Sequence, residues 1–170
     1  MAALFNLFLD LCLLRKGPQD VPASMLLLKL CLLAYGLIGL IVLLLSTPIP
    51  VALLQALLDI VLLSGLLYVG LTLYHHPERF EQTLTALAGS GALIALLAFP
   101  LMAWLMNEER GGDIALPSLL LLALLIWSIA IMAHILRHAF AVSLWSGAWY
   151  AFGYTVLSWT LTGWISPQSP

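Results

Sequence analysis

Apolar residues in this chain run in five long blocks divided by short polar clusters: about 25–46, 51–74, 84–106, 117–136 and 139–164. Each block is near the length of about 20 residues that a helix needs to cross a hydrocarbon core about 30 Å thick. The first stops at TPIP, where Pro48 and Pro50 break a continuous helix. The second ends before His75-His76-Pro77, and the fourth opens on Pro117. A proline in the first helical turn loses no intrahelical bond. Blocks four and five meet around Arg137-His138 with almost no loop. In hydrocarbon every backbone N–H and C=O must be satisfied internally, which leaves helices or closed barrels. Barrel strands alternate apolar and polar residues; LLLLALLIW does not. The pattern predicts an all-α integral membrane protein, a five-transmembrane-helix bundle over residues 25–165 with a short tail at 166–170.

Residues 1–24 form a separate lead. Its apolar part, MAALFNLFLDLCLL, reaches only about 21 Å as a helix at about 1.5 Å per residue, too short to span. Asn6 and Asp10 lie four residues apart and share one narrow polar edge. An amphipathic helix lying in the membrane interface is expected, with docking onto the bundle or a partner helix as the alternative. No basic residue precedes this apolar run and Arg15-Lys16 follows it, so the segment reads as retained rather than as a signal peptide.

Composition closes off the soluble alternatives. Hydrophobic residues make up 63% of the 170 and charged residues 8%, against roughly 45–50% and about 25% in typical globular domains. A soluble chain of this size cannot hide so much apolar surface. Eleven of the 14 charged residues fall in three clusters: the lead, HHPERFEQ, and NEERGGD. The exceptions are Lys29, Asp59 and Arg137. With the N-terminus cytoplasmic, Arg15, Lys16, Arg79 and Arg137 share one side and Arg110 stands on the other. Positive residues favour the cytoplasmic face. The expected placement is therefore N-terminus inside and C-terminus outside, in a membrane such as the bacterial cytoplasmic membrane. The formal net charge of −2 supplies no basic field for nucleic acid.

Few residues offer chemistry. Lys29 sits four residues into the first block, where its long stem can carry the ammonium to the headgroups. Asp59 lies about eight residues into the second block, with Gln55 one turn earlier on the same face. Its side chain is too short to reach water, so the pair must point into the bundle or at another protein. A buried carboxyl hydrogen-bonded to Gln55 or a tyrosine is one reading; a proton or cation relay, or a partner contact, is another. His134 and His138 are four apart beside Arg137, and His75 and His76 end the second block. Such histidines can ligate zinc or haem, but no HExxH or carboxylate at ligand spacing accompanies them, and binding to water or headgroups is the simpler reading. No cofactor and no metal is expected. Cys12 and Cys31 sit in apolar runs and read as small hydrophobes.

The fifth block is the most patterned. Ala139, Ser143, Gly147, Ala151 and Thr155 recur every four residues, while Trp145, Trp149, Phe152, Val156 and Trp159 fall on the opposite side. A small-residue stripe lets helix backbones approach closely, so one face is expected to touch another helix, in this chain or in a partner. In the third block, Pro100 predicts a kink and Gly89-Ser90-Gly91 a loosened start.

A short lead with RKGPQDVPAS, followed by five closely spaced helices, resembles the Yip1-like superfamily of small membrane proteins. The resemblance implies an organising or partner-binding role without chemistry of its own; the brevity of the lead departs from the family where GTPase contacts are concerned. No phosphate loop, nucleophile elbow or HExxH is present. The expectation is a non-enzymatic scaffold, assembly or accessory subunit, with the lipid bilayer and other membrane subunits, or further copies of itself, as partners. The alternatives are a histidine-bound haem or metal redox subunit and a small transporter centred on Asp59.

Overall fold

The computed structural model describes residues 2–108 and 114–165, with side chains from Leu4 onward. The charges expected at Glu109, Arg110 and Asp113 and the tail 166–170 lie outside the described residues. Six helices account for the fold: α1 (Ala2–Cys12), α2 (Met25–Leu43), α3 (Ile49–Leu73), α4 (Phe80–Glu108), α5 (Ala115–Phe140) and α6 (Leu144–Ile165). Single 3₁₀ turns at Pro18–Asp20 and Pro77–Arg79 lead into α2 and α4. Among the described residues there is no strand. Helices α2, α3 and α5, and the stretch Pro77–Glu108 that contains α4, make four helices long and apolar enough to cross a membrane.

Local chemistry sets the helix boundaries. Ser24 caps α2, its hydroxyl accepting from the Leu27 N–H at 3.4 Å. Proline starts α3 rather than merely preceding it: Pro48 is the N-cap and Pro50 stands in the first turn. At the other end of the bundle α5 overruns its expected stop at 136 and continues to Phe140. It ends at Ala141, whose φ of 54° is left-handed, with the Ala141 and Val142 N–H groups both bonded to the Arg137 carbonyl. Helix α6 starts at Leu144. The hairpin is tight because this single residue reverses the chain.

That turn corrects the reading of the small-residue stripe. Ala139 belongs to the last turn of α5, and Ser143 lies in the connection, where its hydroxyl receives the Ser146 N–H at 3.2 Å. Only Gly147, Ala151 and Thr155 share α6, so the stripe is not continuous. Gly147 and Ala151 are buried, Gly147 against this chain's own α5: a methyl there would stand 2.6 Å from the Ala133 carbonyl oxygen. The close approach is made within the chain.

Helix α4 is the centre, touching α1, α2, α3 and α5. Its run Thr83–Ser90 is buried on every side. The glycines there do not loosen the helix, which is continuous from Phe80 to Glu108 and includes Pro100. They receive neighbours instead. The Phe8 ring of α1 occupies the space a Gly89 side chain would need, and the Tyr35 ring of α2 the space at Gly91. Helix α1 is thus docked on the bundle, with Leu7, Leu11 and Cys12 buried and Phe5, Leu9 and Leu13 exposed. Burial pushes the Cys12 thiol up to about 11.

Gly147→Leu should therefore push α6 away from α5 and cost about 1–3 kcal/mol or more by overpacking. Gly153→Ala, where a methyl meets nothing within 4 Å, should leave stability unchanged. Unfolding from mild detergent into SDS, followed by circular dichroism, distinguishes the two.

Candidate functional site

The one charge that neither a loop nor snorkelling explains becomes the hub of a three-helix cluster. Asp59 on α3 faces Tyr35 of α2 and both Tyr154 and Ser158 of α6. Tyr35 donates its hydroxyl to Oδ2. Tyr154 and Ser158 donate to Oδ1 at 2.6 and 2.8 Å. Tyr154 and Ser158 stand four apart on one face of α6, so the helix delivers both hydroxyls together. Tyr35 reaches in because Gly91 leaves room for its ring. A carboxylate is an acceptor only, and every contact here comes from a donor.

Gln55 points to the same helix one turn away, its Nε2 donating to the Thr162 carbonyl at 3.2 Å. The Gln55–Asp59 edge of α3 is thus turned onto α6. The sequence singled out Asp59 and Gln55 and offered a tyrosine or Gln55 as the carboxyl's partner, without naming Tyr35, Tyr154 or Ser158. Tyr154 and Ser158 lie in the block read as a stripe of small residues opposite aromatic ones, and their i, i+4 spacing was the available signal.

Two cavities flank the cluster. One, of about 250 Å³, opens between α2, α4, α5 and α6 and includes Ser90, Ser128 and Tyr154 in its walls. The other, of about 300 Å³, lies between α2, α3, α4 and α6 and includes Gly39, Gln55 and Thr162. Tyr35, Asp59, Ala95, Ser158 and Trp159 wall both. A third cavity, of about 270 Å³, is almost wholly apolar and sits between α3, α5 and α6, with Leu67, Leu136, Trp149 and Leu157 among its walls. Tyr154 walls this cavity and the first, standing between an apolar space and the carboxylate.

The other candidates are placed as follows. Lys29 is exposed on the first turns of α2. His134 and His138 lie with ring centroids 4.5 Å apart and planes tilted by 59°; the His134 Nε2 lies 3.2 Å from the Lys16 carbonyl and the His138 Nδ1 lies 2.8 Å from the His134 carbonyl. His76 lies 3.4 Å from Glu78, and His75 adopts a left-handed φ of 60° just beyond α3. Backbone hydrogen bonding, with help from His76, holds the exposed Glu78 carboxyl below its ordinary range. Among the described residues no three His, Cys, Asp or Glu side chains group as a metal site. On α6, Trp145, Trp149 and Trp159 are 80%, 72% and 64% exposed, and Phe152 is exposed beside them.

Removing Tyr154 as a donor leaves the Asp59 Oδ1 short of one of its two hydroxyl partners. Tyr154→Phe is expected to cost about 1–2 kcal/mol, near the upper range for polar contacts inside membrane proteins. Ser158→Ala should cost less, since Tyr154 still serves the same oxygen. The same SDS titration measures both, and equal stability of wild type and Tyr154→Phe would remove the cluster's structural role. Comparison with protein-family models, with curated proteins and with solved structures finds no match to this chain.

Proposed function

We propose that this chain is a non-enzymatic integral membrane protein that serves as an assembly or accessory subunit of a larger membrane complex. In this reading α2 to α6 are five spans, α1 is docked on the bundle, and the N-terminus is cytoplasmic. One observation carries it: α6 buries Gly147 and Ala151 in its own bundle and leaves its tryptophans exposed. Gly147 is buried against α5 and Ala151 is buried too, while Trp145, Trp149, Phe152 and Trp159 are exposed. Large aromatic side chains are the residues from which interfaces draw most of their energy, and Trp149 and Phe152 lie deeper along α6 than an interfacial belt requires. The Yip1-like look of the sequence points the same way.

Purification in mild detergent followed by native mass spectrometry should give a stoichiometric membrane partner or a defined homo-oligomer. The triple variant Trp145→Ala, Trp149→Ala, Trp159→Ala should lose it while unfolding at the wild-type SDS fraction. A monomer in every mild detergent would sink the proposal.

The flanking cavities favour a second reading, passage of a proton or small cation past Asp59. A relay needs polar groups on both sides of the carboxyl, and the walls supply Ser90 and Ser128 on one side and Gln55 and Thr162 on the other. In proteoliposomes carrying a pH-sensitive dye, wild type should then dissipate an imposed proton gradient and Asp59→Asn should not. Identical rates for wild type, Asp59→Asn and empty vesicles would dismiss transport of protons.

A further inference from the structure

A fourth cavity, away from Asp59, lies where the Pro18–Asp20 turn, the first turn of α4 and the last turn of α5 meet. We propose that it binds a phosphate group. The cavity holds about 270 Å³, several times the roughly 30 Å³ that one water occupies in the liquid. Apart from Pro18 and Ala139 its walls are polar: Gln19, Arg79, Gln82, Thr83 and His138.

Thr83 supplies the observation that asks for a ligand. Its side chain is 0% exposed and its hydroxyl has no hydrogen-bond partner among the described residues. Hydroxyls elsewhere on α4 bond to the carbonyl one turn back, Thr85 to Glu81 at 2.6 Å and Ser90 to Ala86 at 2.7 Å. Thr83 does not, although a buried polar group without a partner is costly.

Arg79 supplies the charge. Its Nη1 donates to the carbonyls of His138 and Ala139, both at 3.2 Å, which ties the guanidinium to the end of α5. No hydrogen bond among the described residues engages its Nη2. A guanidinium fixed in this way presents its remaining donors in the planar fork that suits phosphate oxygens. His138 walls the cavity as well, its Nδ1 lying 2.8 Å from the His134 carbonyl and 3.4 Å from the Arg137 Nε. The N-terminal end of α4 adds the positive end of a helix dipole. Asp20, Glu78 and Glu81 are close in sequence, yet none of them walls the cavity. Glu78 lies 3.9 Å from the Arg79 Nε, with its own side chain 64% exposed.

A lipid headgroup and free phosphate share the chemistry this site would recognise. The cavity sits where α4 begins and α5 ends, with Arg137 in the same last turn of α5 as His138; for a bundle that crosses a bilayer, helix ends lie at the level of the headgroups. The inference does not rest on the accessory-subunit reading.

The test uses the full chain purified in mild detergent. One arm adds dioleoylphosphatidylglycerol and counts retained lipid by native mass spectrometry. The other adds sodium phosphate, with sodium chloride at matched ionic strength as control, and follows thermal unfolding. Wild type should retain one phosphatidylglycerol or unfold at a higher temperature in phosphate. Thr83→Val should weaken that response about tenfold, the effect of one hydrogen bond to a charged group. Its unfolding without ligand should be unchanged or slightly raised, since the hydroxyl has no partner within the described chain. Arg79→Gln should abolish the response; because it also releases two carbonyls, Thr83→Val is the deciding variant. Lipid retention without a response to inorganic phosphate assigns a headgroup site. Responses in both arms assign a general phosphate site. No response in either arm, or equal responses from wild type and Thr83→Val, overturns the proposal and leaves the cavity to water.

Discussion

The structure depends on how closely other helices can approach α4. In lipid the surrounding solvent is as apolar as leucine, so helices are held by tight packing and polar contacts rather than by expulsion of water. The Thr83–Ser90 run of α4, TLTALAGS, is built for this, with small side chains at most positions and burial on every side. Phe8 seats on Gly89 and brings α1 against the bundle; Tyr35 seats on Gly91 and brings in α2. A side chain at either glycine would have to displace an aromatic ring. The Tyr35 hydroxyl reaches Asp59 because its ring lies over Gly91. The packing of α4 and the polar chemistry of α3 are therefore one arrangement.

Asp59 works at the next level. Its two oxygens gather hydroxyls from α2 and α6 and so join three helices that have little direct contact with one another compared with the α2–α4 and α5–α6 pairs. Cavities remain on both sides of this joint because the aromatic and hydroxyl side chains that meet there do not fill the space as leucines would. At the helix ends the Arg79 cavity repeats the theme, with a guanidinium bonded to the backbone of the next helix. Both polar features bind helix to helix first, and any ligand would act through that same scaffold.

Much of the plan was legible from polarity alone. The apolar blocks locate the long helices within a few residues, and the charge clusters fall mainly at their ends. Asp59 stood out because a short charged side chain deep in an apolar block has no local explanation. The misplaced elements have a common cause. Residues 137–143 contain no glycine or proline to mark a turn, yet Ala141 takes a left-handed φ there, a conformation an L-residue adopts only when flanking contacts impose it. The Gly89-Ser90-Gly91 segment read as flexible because glycine is a poor helix former in isolation, whereas here it is the surface that neighbours press upon.

The sequence by itself determined the helical class, the approximate limits of the long apolar helices and the residue that an apolar block could not explain, because each follows from the free energy of placing a polar or apolar group in hydrocarbon. Which face of each helix turns inward was decided only by the tertiary structure. Lipid and protein interior are equally apolar, so leucine patterning carries little information about direction, and the choice falls to shape: where a glycine admits a ring, where a backbone can close on Gly147, and which hydroxyls can reach Asp59. For the same reason the Arg79–Thr83–His138 cavity, assembled from three distant segments, has no signature along the chain.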